Sequence, residues 1–123
     1  MRSSRAVLCM AAIAACLPAL AIAAPACAVA EKDLVGAWGR PTGVAFFQEF
    51  ELAREDGERL FNSWLHQRPE VSGASWTYAQ CRLHIEASRN PSMAWDYTVA
   101  MRGRTRLVLH DADGTTTYRR LGK

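Results

Sequence analysis

From Leu34 onward, apolar and polar residues alternate in short runs that are separated by residues typical of turns. Alternation with a period of two places one side of a strand in a core and the other side in solvent. No run has the sustained three-to-four-residue spacing of an amphipathic helix. The pattern therefore predicts an all-β domain built from consecutive hairpins.

The first predicted hairpin turns at Asp56-Gly57, a dipeptide that favours two-residue turns. Its second strand covers about residues 58–67, and the register about this turn places Leu52 opposite Phe61. The inner face of its first strand is predicted to carry Val44, Phe46, Gln48, Phe50 and Leu52.

A polar stretch at residues 68–75 predicts a loop, because it contains proline, glycine and two serines. A single long strand is expected to follow at 76–87. Its core face is predicted to carry Thr77, Ala79, Cys81, Leu83 and Ile85. Its opposite face is predicted to carry Trp76, Tyr78, Gln80, Arg82, His84 and Glu86.

The clearest strand covers residues 93–101, with an apolar face of Met93, Trp95, Tyr97, Val99 and Met101. A turn at 103–105 would place Met101 opposite Leu107. A further turn within 111–114 closes the last hairpin before a strand at 116–121. About seven strands with one apolar face each predict a small antiparallel meander, closed as a barrel or folded as a sandwich.

The first 30 residues have the pattern of a secretory signal peptide, with Arg2 and Arg5 ahead of an apolar run and small residues at cleavage positions between 23 and 30. The single domain then covers 31–123, and the protein is expected in the periplasm or outside the cell without a transmembrane anchor. A retained anchor and a lipoprotein processed at Cys16 are the alternatives.

At most two of the four cysteines, Cys27 and Cys81, belong to the mature chain, since Cys9 and Cys16 are expected to be removed with the signal peptide. A cut near Ala23 keeps Cys27 and permits a disulfide to Cys81 in an oxidising compartment. A later cut leaves Cys81 alone as a small buried residue. The sequence leaves both outcomes open.

Charge excludes a general polyanion binder, and no nucleic-acid partner is expected. The chain carries 15 basic and 12 acidic residues, and removal of Arg2 and Arg5 leaves 13 against 12. Acidic residues cluster at 49–58 and arginines near the end of the chain. Charged protection of an edge strand is the favoured interpretation of those arginines, and steering of an acidic partner is the alternative.

The segment Leu34-Val35-Gly36-Ala37-Trp38 resembles the opening of lipocalins and of small bacterial lipocalin-like domains, in which Gly-x-Trp begins the first strand. That resemblance implies a small barrel in which an arginine of the last strand packs over Trp38. Arg119 and Arg120 are the two candidates. The same opening and the Asp-x-Asp-Gly turn are also similar to small secreted bacterial barrels that inhibit proteases.

Candidate sites follow from the two aromatic faces. The face formed by Met93, Trp95, Tyr97, Val99 and Met101 could line a pocket for a small apolar ligand, or it could be packed core. The second candidate is a partner-binding surface formed by Trp76, Tyr78 and Arg82, since these residue types dominate binding hot spots.

The sequence lacks the common motifs of catalytic and metal-binding sites, so it does not favour an enzyme. The sequence has no Gly-x-Ser-x-Gly, His-Glu-x-x-His, Cys-x-x-Cys or glycine-rich phosphate loop. His66, His84 and His110 lie on three predicted strands with no spacing that requires a metal. We therefore expect no cofactor and a binding role, as a carrier or sensor of a small apolar ligand or, alternatively, as a protein-binding or inhibitory module.

Overall fold

A computed structural model describes residues 27–87 and 93–122, which form eight antiparallel strands closed into a barrel. A one-turn helix precedes them, α1 (Glu31–Leu34). The strands are β1 (Gly36–Gly43), β2 (Glu49–Glu55), β3 (Glu58–Leu65), β4 (Arg68–Ala79), β5 (Arg82–Glu86), β6 (Ala94–Arg102), β7 (Arg106–Asp111) and β8 (Gly114–Arg120). The predicted signal peptide up to residue 26, including the alternative lipobox at Cys16, lies outside the described residues.

Each strand pairs with its neighbours in the sequence, and β8 closes the barrel by pairing with β1. The all-β prediction is confirmed, and of its two forms the barrel is the one observed. A closed barrel has no free edge, so edge protection does not explain the arginines of β7 and β8. Within the described ranges, no helix has the length and apolar character needed to cross a membrane.

Three predicted turns are confirmed, two of them together with their predicted registers. The Asp56-Gly57 turn joins β2 to β3 and places Leu52 opposite Phe61. The turn at 103–105 joins β6 to β7 and places Met101 opposite Leu107. The final turn joins β7 to β8 at 112–113.

The predicted loop at 68–75 is wrong, because these residues belong to the long strand β4. The chain reverses earlier, at His66 and Gln67, whose φ angles are 51° and 68°. Two-residue hairpins need such positive φ values, which glycine and asparagine usually supply. Proline has no backbone N–H to donate to a neighbouring strand. The register of the β3–β4 pairing shifts around Ser63, and β4 pairs with β3 although it contains Pro69.

The predicted single strand at 76–87 is also wrong, since Gln80 and Cys81 form a second turn with φ angles of 50° and 63°. The turn pairs Trp76 with Ile85 and reverses which alternate positions point inward. Leu83 and Ile85 are buried as predicted, but Thr77 and Ala79 are exposed and Cys81 lies in the turn.

The start of the predicted strand at 44–52 is wrong as well. Residues 44–48, which we call the lid segment, lie between β1 and β2. Val44 and Phe46 are 62% and 60% exposed, whereas Phe47 is fully buried. Gln48 is exposed rather than internal. The backbone of the lid segment is irregular, and this turns Phe47 inward in place of the residues that alternation had selected.

The barrel interior is filled by its own side chains, as expected for a small barrel. Its aromatic residues pack edge to face, for example Phe50 against Tyr118 with ring centroids 4.9 Å apart. The largest fully buried members are Trp38, Trp76, Tyr118, Phe47, Phe50 and Phe61. The core thus extends through the barrel, and space for a ligand must be sought at its ends.

Candidate functional site

The two ends of the barrel are closed in different ways. One end is covered by residues 27–35, which we call the arm. The other end, which we call the mouth, is formed by the β1–β2, β3–β4 and β7–β8 connections. The predicted ligand face on β6 runs from one end to the other, so its members do not share one pocket.

The arm is held covalently by a disulfide between Cys27 and Cys81, whose Cα atoms are 5.6 Å apart. The Tyr78 hydroxyl donates a hydrogen bond to the Val29 carbonyl, 2.8 Å away. Partial burial under the arm raises the pKa of Tyr78. The permitted disulfide is therefore present in this structure, and it closes the arm over the β4–β5 turn.

The partner-binding surface predicted from Trp76, Tyr78 and Arg82 is not an exposed patch in the structure. Trp76 is 1% exposed and lies inside the barrel, where its indole N–H donates to the Ala53 carbonyl. Tyr78 is half-buried by the arm, and Arg82 alone is exposed. The physical reason is the turn at Gln80 and Cys81, which places the two aromatic residues on the inner face.

Ion pairs hold the other side of the arm. The Glu31 carboxylate accepts two hydrogen bonds from Arg59, at 2.7 and 3.0 Å, and lies 3.2 Å from the Arg54 guanidinium. The hydrogen bonds from Arg59 lower the pKa of Glu31. Because the folded pKa is lowered, this contact stabilises the fold at neutral pH and weakens as the pH falls through that pKa.

Trp38 and Arg120 form the contact that the family resemblance implied. The Arg120 guanidinium lies 4.2 Å from the centre of the Trp38 ring and donates to the carbonyls of Val35 and Asp33. Gly36 is required here: its φ is +139°, and a Cβ would lie 2.7 Å from Arg120 Nη1. Arg119, the other candidate, is exposed.

A groove of about 780 Å³ runs beside the arm. Its lining includes Lys32, Asp33, Met101, Arg104 and Arg120. It is broad and open, and the Arg120 guanidinium is already engaged by backbone carbonyls. Met101, a predicted ligand residue, therefore faces this groove, far along β6 from Met93 at the mouth. Val99, between them, is buried core.

The mouth carries the exposed large apolar side chains of the described residues. Val44 and Phe46 come from the lid segment, Leu65 is the last residue of β3, and Met93 immediately precedes β6. Exposed apolar side chains gathered at one place mark interaction sites more often than isolated ones do. Sequence reasoning missed this cluster because alternation assigned Val44 and Phe46 to the interior.

Beneath the lid segment lies a space of about 190 Å³. Its apolar wall includes Phe46, Tyr97 and Leu109, and its charged members are Asp111 and Asp113. Burial, with smaller contributions from these two aspartates, raises the pKa of Tyr97 to about 12. The space therefore combines aromatic walls with a negatively charged rim.

Phe47 fills the barrel next to this space. Its ring centroid lies 4.9 Å from that of Phe61, 5.1 Å from that of Trp95 and 6.3 Å from that of Phe50. Phe46 covers Trp95 from above, with centroids 5.6 Å apart. The structure thus brings Trp95 and Tyr97, two of the predicted ligand residues, to the mouth under the lid segment.

A separate polar cluster lies on the outer surface of β5 and β6. His84 Nδ1 is 2.6 Å from an Asp96 oxygen, and its Nε2 is 3.1 Å from a Glu86 oxygen. His110 instead contacts the Thr115 hydroxyl. Within residues 27–87 and 93–122, no group of three histidine, cysteine or acidic side chains is arranged to hold a metal ion.

The hydrogen bonds from His84 to Glu86 and to Asp96 raise the pKa of this histidine above its usual value of 6.5. The contribution of these hydrogen bonds to the stability of the fold is therefore present below the pKa of His84 in the unfolded chain and is lost as the pH rises through its folded pKa.

We expect an NMR titration of His84 to show a midpoint above pH 6.5, and Glu86→Gln to lower that midpoint. Glu58→Gln, a remote exposed change, should leave the midpoint unaltered, and a wild-type midpoint below that of free imidazole would contradict the assignment.

Comparison of the chain with protein-family models, with curated proteins and with solved structures found no match.

Proposed function

We propose that this protein is a non-catalytic binding protein that takes a small apolar ligand at the mouth of its barrel. The position of Phe47 carries the proposal. This side chain fills an internal site, yet it comes from a segment between strands rather than from a strand. Lifting the lid segment would join the place of Phe47 to the adjacent space of about 190 Å³.

The chemistry of the joined site suits a compact apolar molecule. Trp95, Phe61 and Tyr97 would form its walls, and Phe46 would cover the bound ligand. Small-molecule sites usually have volumes of about 300 Å³ or more with mainly apolar and aromatic walls, so the mouth space alone is small and the place of Phe47 is needed. A ligand would also cover part of the exposed apolar surface at the mouth.

A protein-binding or inhibitory role is the second candidate, and the exposed side chains around the mouth support it. In that case Phe46 and Met93 would insert into a partner while Phe47 stayed in the core. The two candidates differ in whether the interior next to Trp95 changes on binding.

The disulfide supports secretion into an oxidising compartment such as the periplasm, because such bonds are rare in reducing cytosol. Keeping it requires cleavage ahead of Cys27, and the small residues Ala21 and Ala23 offer such a position. A relationship to lipocalin-like proteins is part of the proposal. Its support is the eight-stranded meander together with the Trp38–Arg120 contact.

Titration of ¹⁵N-labelled protein with ethylbenzene, a neutral apolar probe, tests the ligand-binding function. We expect saturable shifts of the amide signals of Phe46, Phe47 and Trp95. Trp95→Ala should weaken binding by roughly tenfold, because it removes an aromatic wall. Trp64→Ala is the matched control, since Trp64 is half-buried at the mouth end of β3, whereas Trp95 is the tryptophan whose ring packs against Phe46 and Phe47.

An absence of saturable shifts in the wild-type protein would contradict ligand binding and favour the protein-binding candidate. Equal weakening by the two tryptophan variants would also contradict the assigned site, because of these two tryptophans Trp95 is the one whose ring packs against Phe47.

A further inference from the structure

Two buried hydroxyl groups of β8 hold the lid segment in place. Thr116 and Tyr118 are 5% and 2% exposed and point into the barrel. The Thr116 hydroxyl donates a hydrogen bond to the Val44 carbonyl. The Tyr118 hydroxyl donates to the Phe47 carbonyl, 2.8 Å away. Both acceptors are thus backbone oxygens of the lid segment, which under the proposed function would move when a ligand enters.

Lifting the lid segment would leave both donors facing an apolar interior without their acceptors. Unpaired buried donors are costly, and nearly all such groups in proteins have partners. A ligand that brings its own acceptor atom would restore the lost hydrogen bonds. A pure hydrocarbon of the same shape would not, so these two hydroxyls would discriminate between the two kinds of ligand.

We propose, on the basis of the proposed function, that the mouth selects compact apolar molecules that carry a neutral carbonyl group, such as a ketone, an ester or an amide. The carbonyl oxygen accepts hydrogen bonds from Tyr118 and Thr116, and the apolar part takes the place of the Phe47 ring. Phe47 displays this arrangement within the chain. Its ring packs against Phe61 and Trp95 while its own carbonyl accepts from Tyr118.

The charges around the site favour a neutral acceptor over a carboxylate. The charged residues that line the space are Asp111 and Asp113, both acidic. A bound carboxylate would lose its hydration and meet two like charges. Burial also raises the pKa of Tyr118, so its hydroxyl stays a donor throughout the neutral range.

Three aromatic probes of similar size separate these contributions: acetophenone, ethylbenzene and benzoate. Binding to the wild-type protein is measured by NMR titration at neutral pH. We expect acetophenone to bind at least about fivefold more tightly than ethylbenzene, since one buried hydrogen bond alone provides that factor. We expect benzoate to bind at least about tenfold more weakly than acetophenone.

Tyr118→Phe removes one of the two donors and keeps the ring. Its affinity for acetophenone should fall about fivefold while the Thr116 hydroxyl remains as the second donor. Its affinity for ethylbenzene should stay equal to that of the wild type or rise, because the lid segment has lost a hydrogen bond. Tyr78→Phe is the matched control: it also loses a hydroxyl bonded to a backbone carbonyl, at the arm end. Thr116→Val supplies a second removal of a donor should Tyr118→Phe fail to fold.

Equal wild-type affinity for acetophenone and ethylbenzene would overturn the inferred selectivity while leaving the proposed function intact. Tightest binding of benzoate would overturn the preference for a neutral group. Failure of all three probes to bind would overturn the proposed function, and the selectivity with it.

Discussion

Replacing Trp38 by alanine is expected to lower the free energy of unfolding by about 3–5 kcal/mol. Trp38 is fully buried, and its indole N–H donates to the Leu34 carbonyl, 2.9 Å away. Its ring also supports the Arg120 guanidinium at 4.2 Å. The substitution therefore leaves a cavity, an unpaired carbonyl and a cation without its aromatic partner.

Urea unfolding followed by circular dichroism measures the effect of Trp38→Ala. Trp38→Phe keeps an aromatic ring under Arg120 and should cost less. Trp64→Ala removes an indole that is only half-buried and should also cost less. If Trp38→Ala unfolded with the stability of Trp64→Ala, the assigned role of Trp38 in joining the arm to the barrel would be wrong.

Removal of the disulfide should have an effect of similar size. Cys27 and Cys81 are 54 residues apart in the sequence, and cross-linking a loop of that length stabilises the folded state by about 4 kcal/mol in the chain-entropy description. Cys81→Ala, Cys27→Ala and the double variant should lose about the same stability, since each breaks the same bond.

The measurement is the urea midpoint with and without a reducing agent. Reductant should lower the wild-type midpoint to that of the variants and leave the variants unchanged. A Cys81→Ala protein as stable as the oxidised wild type would show that the bond does not stabilise the fold.

Where turn residues were explicit, sequence reasoning recovered the fold. Asp56-Gly57 and the segment around Gly103 fixed two hairpins and their registers. The alternation in β6 also predicted that Trp95 and Tyr97 face inward, and in the structure both are partly buried. These features were predictable because the local turn preference and the hydrophobic period agreed.

Two turns escaped prediction because they use residues that rarely adopt positive φ. His66-Gln67 and Gln80-Cys81 take conformations that sequence rules assign to glycine or asparagine. Missing the second turn reversed the faces of the preceding strand. Trp76 was consequently assigned to an exposed surface although it lies in the core.

Phe47 escaped prediction for a different reason. Val44, Phe46, Phe50 and Leu52 form a regular alternation that continues a strand pattern, and this pattern places Phe47 outside. In the described residues, the pairing of β2 with its neighbours β1 and β3 begins at Glu49, so residues 44–48 have no strand partner. Phe46 and Phe47 are adjacent, so a regular strand would place one of these two aromatic rings on its outer face. This adjacency was the signal in the sequence against a regular strand here.

The meander order of the barrel has a consequence for how the chain folds. Seven of the pairings join strands that are neighbours in the sequence, so each can form early as a local hairpin. The pairing of β1 with β8 is the exception, and it must close a loop that includes nearly the whole domain. Contacts between distant residues slow folding because closure entropy is lost before they form. Oxidation of Cys27 with Cys81 ahead of this step would tie β1 to the middle of the chain, shorten the remaining loop and speed the final closure.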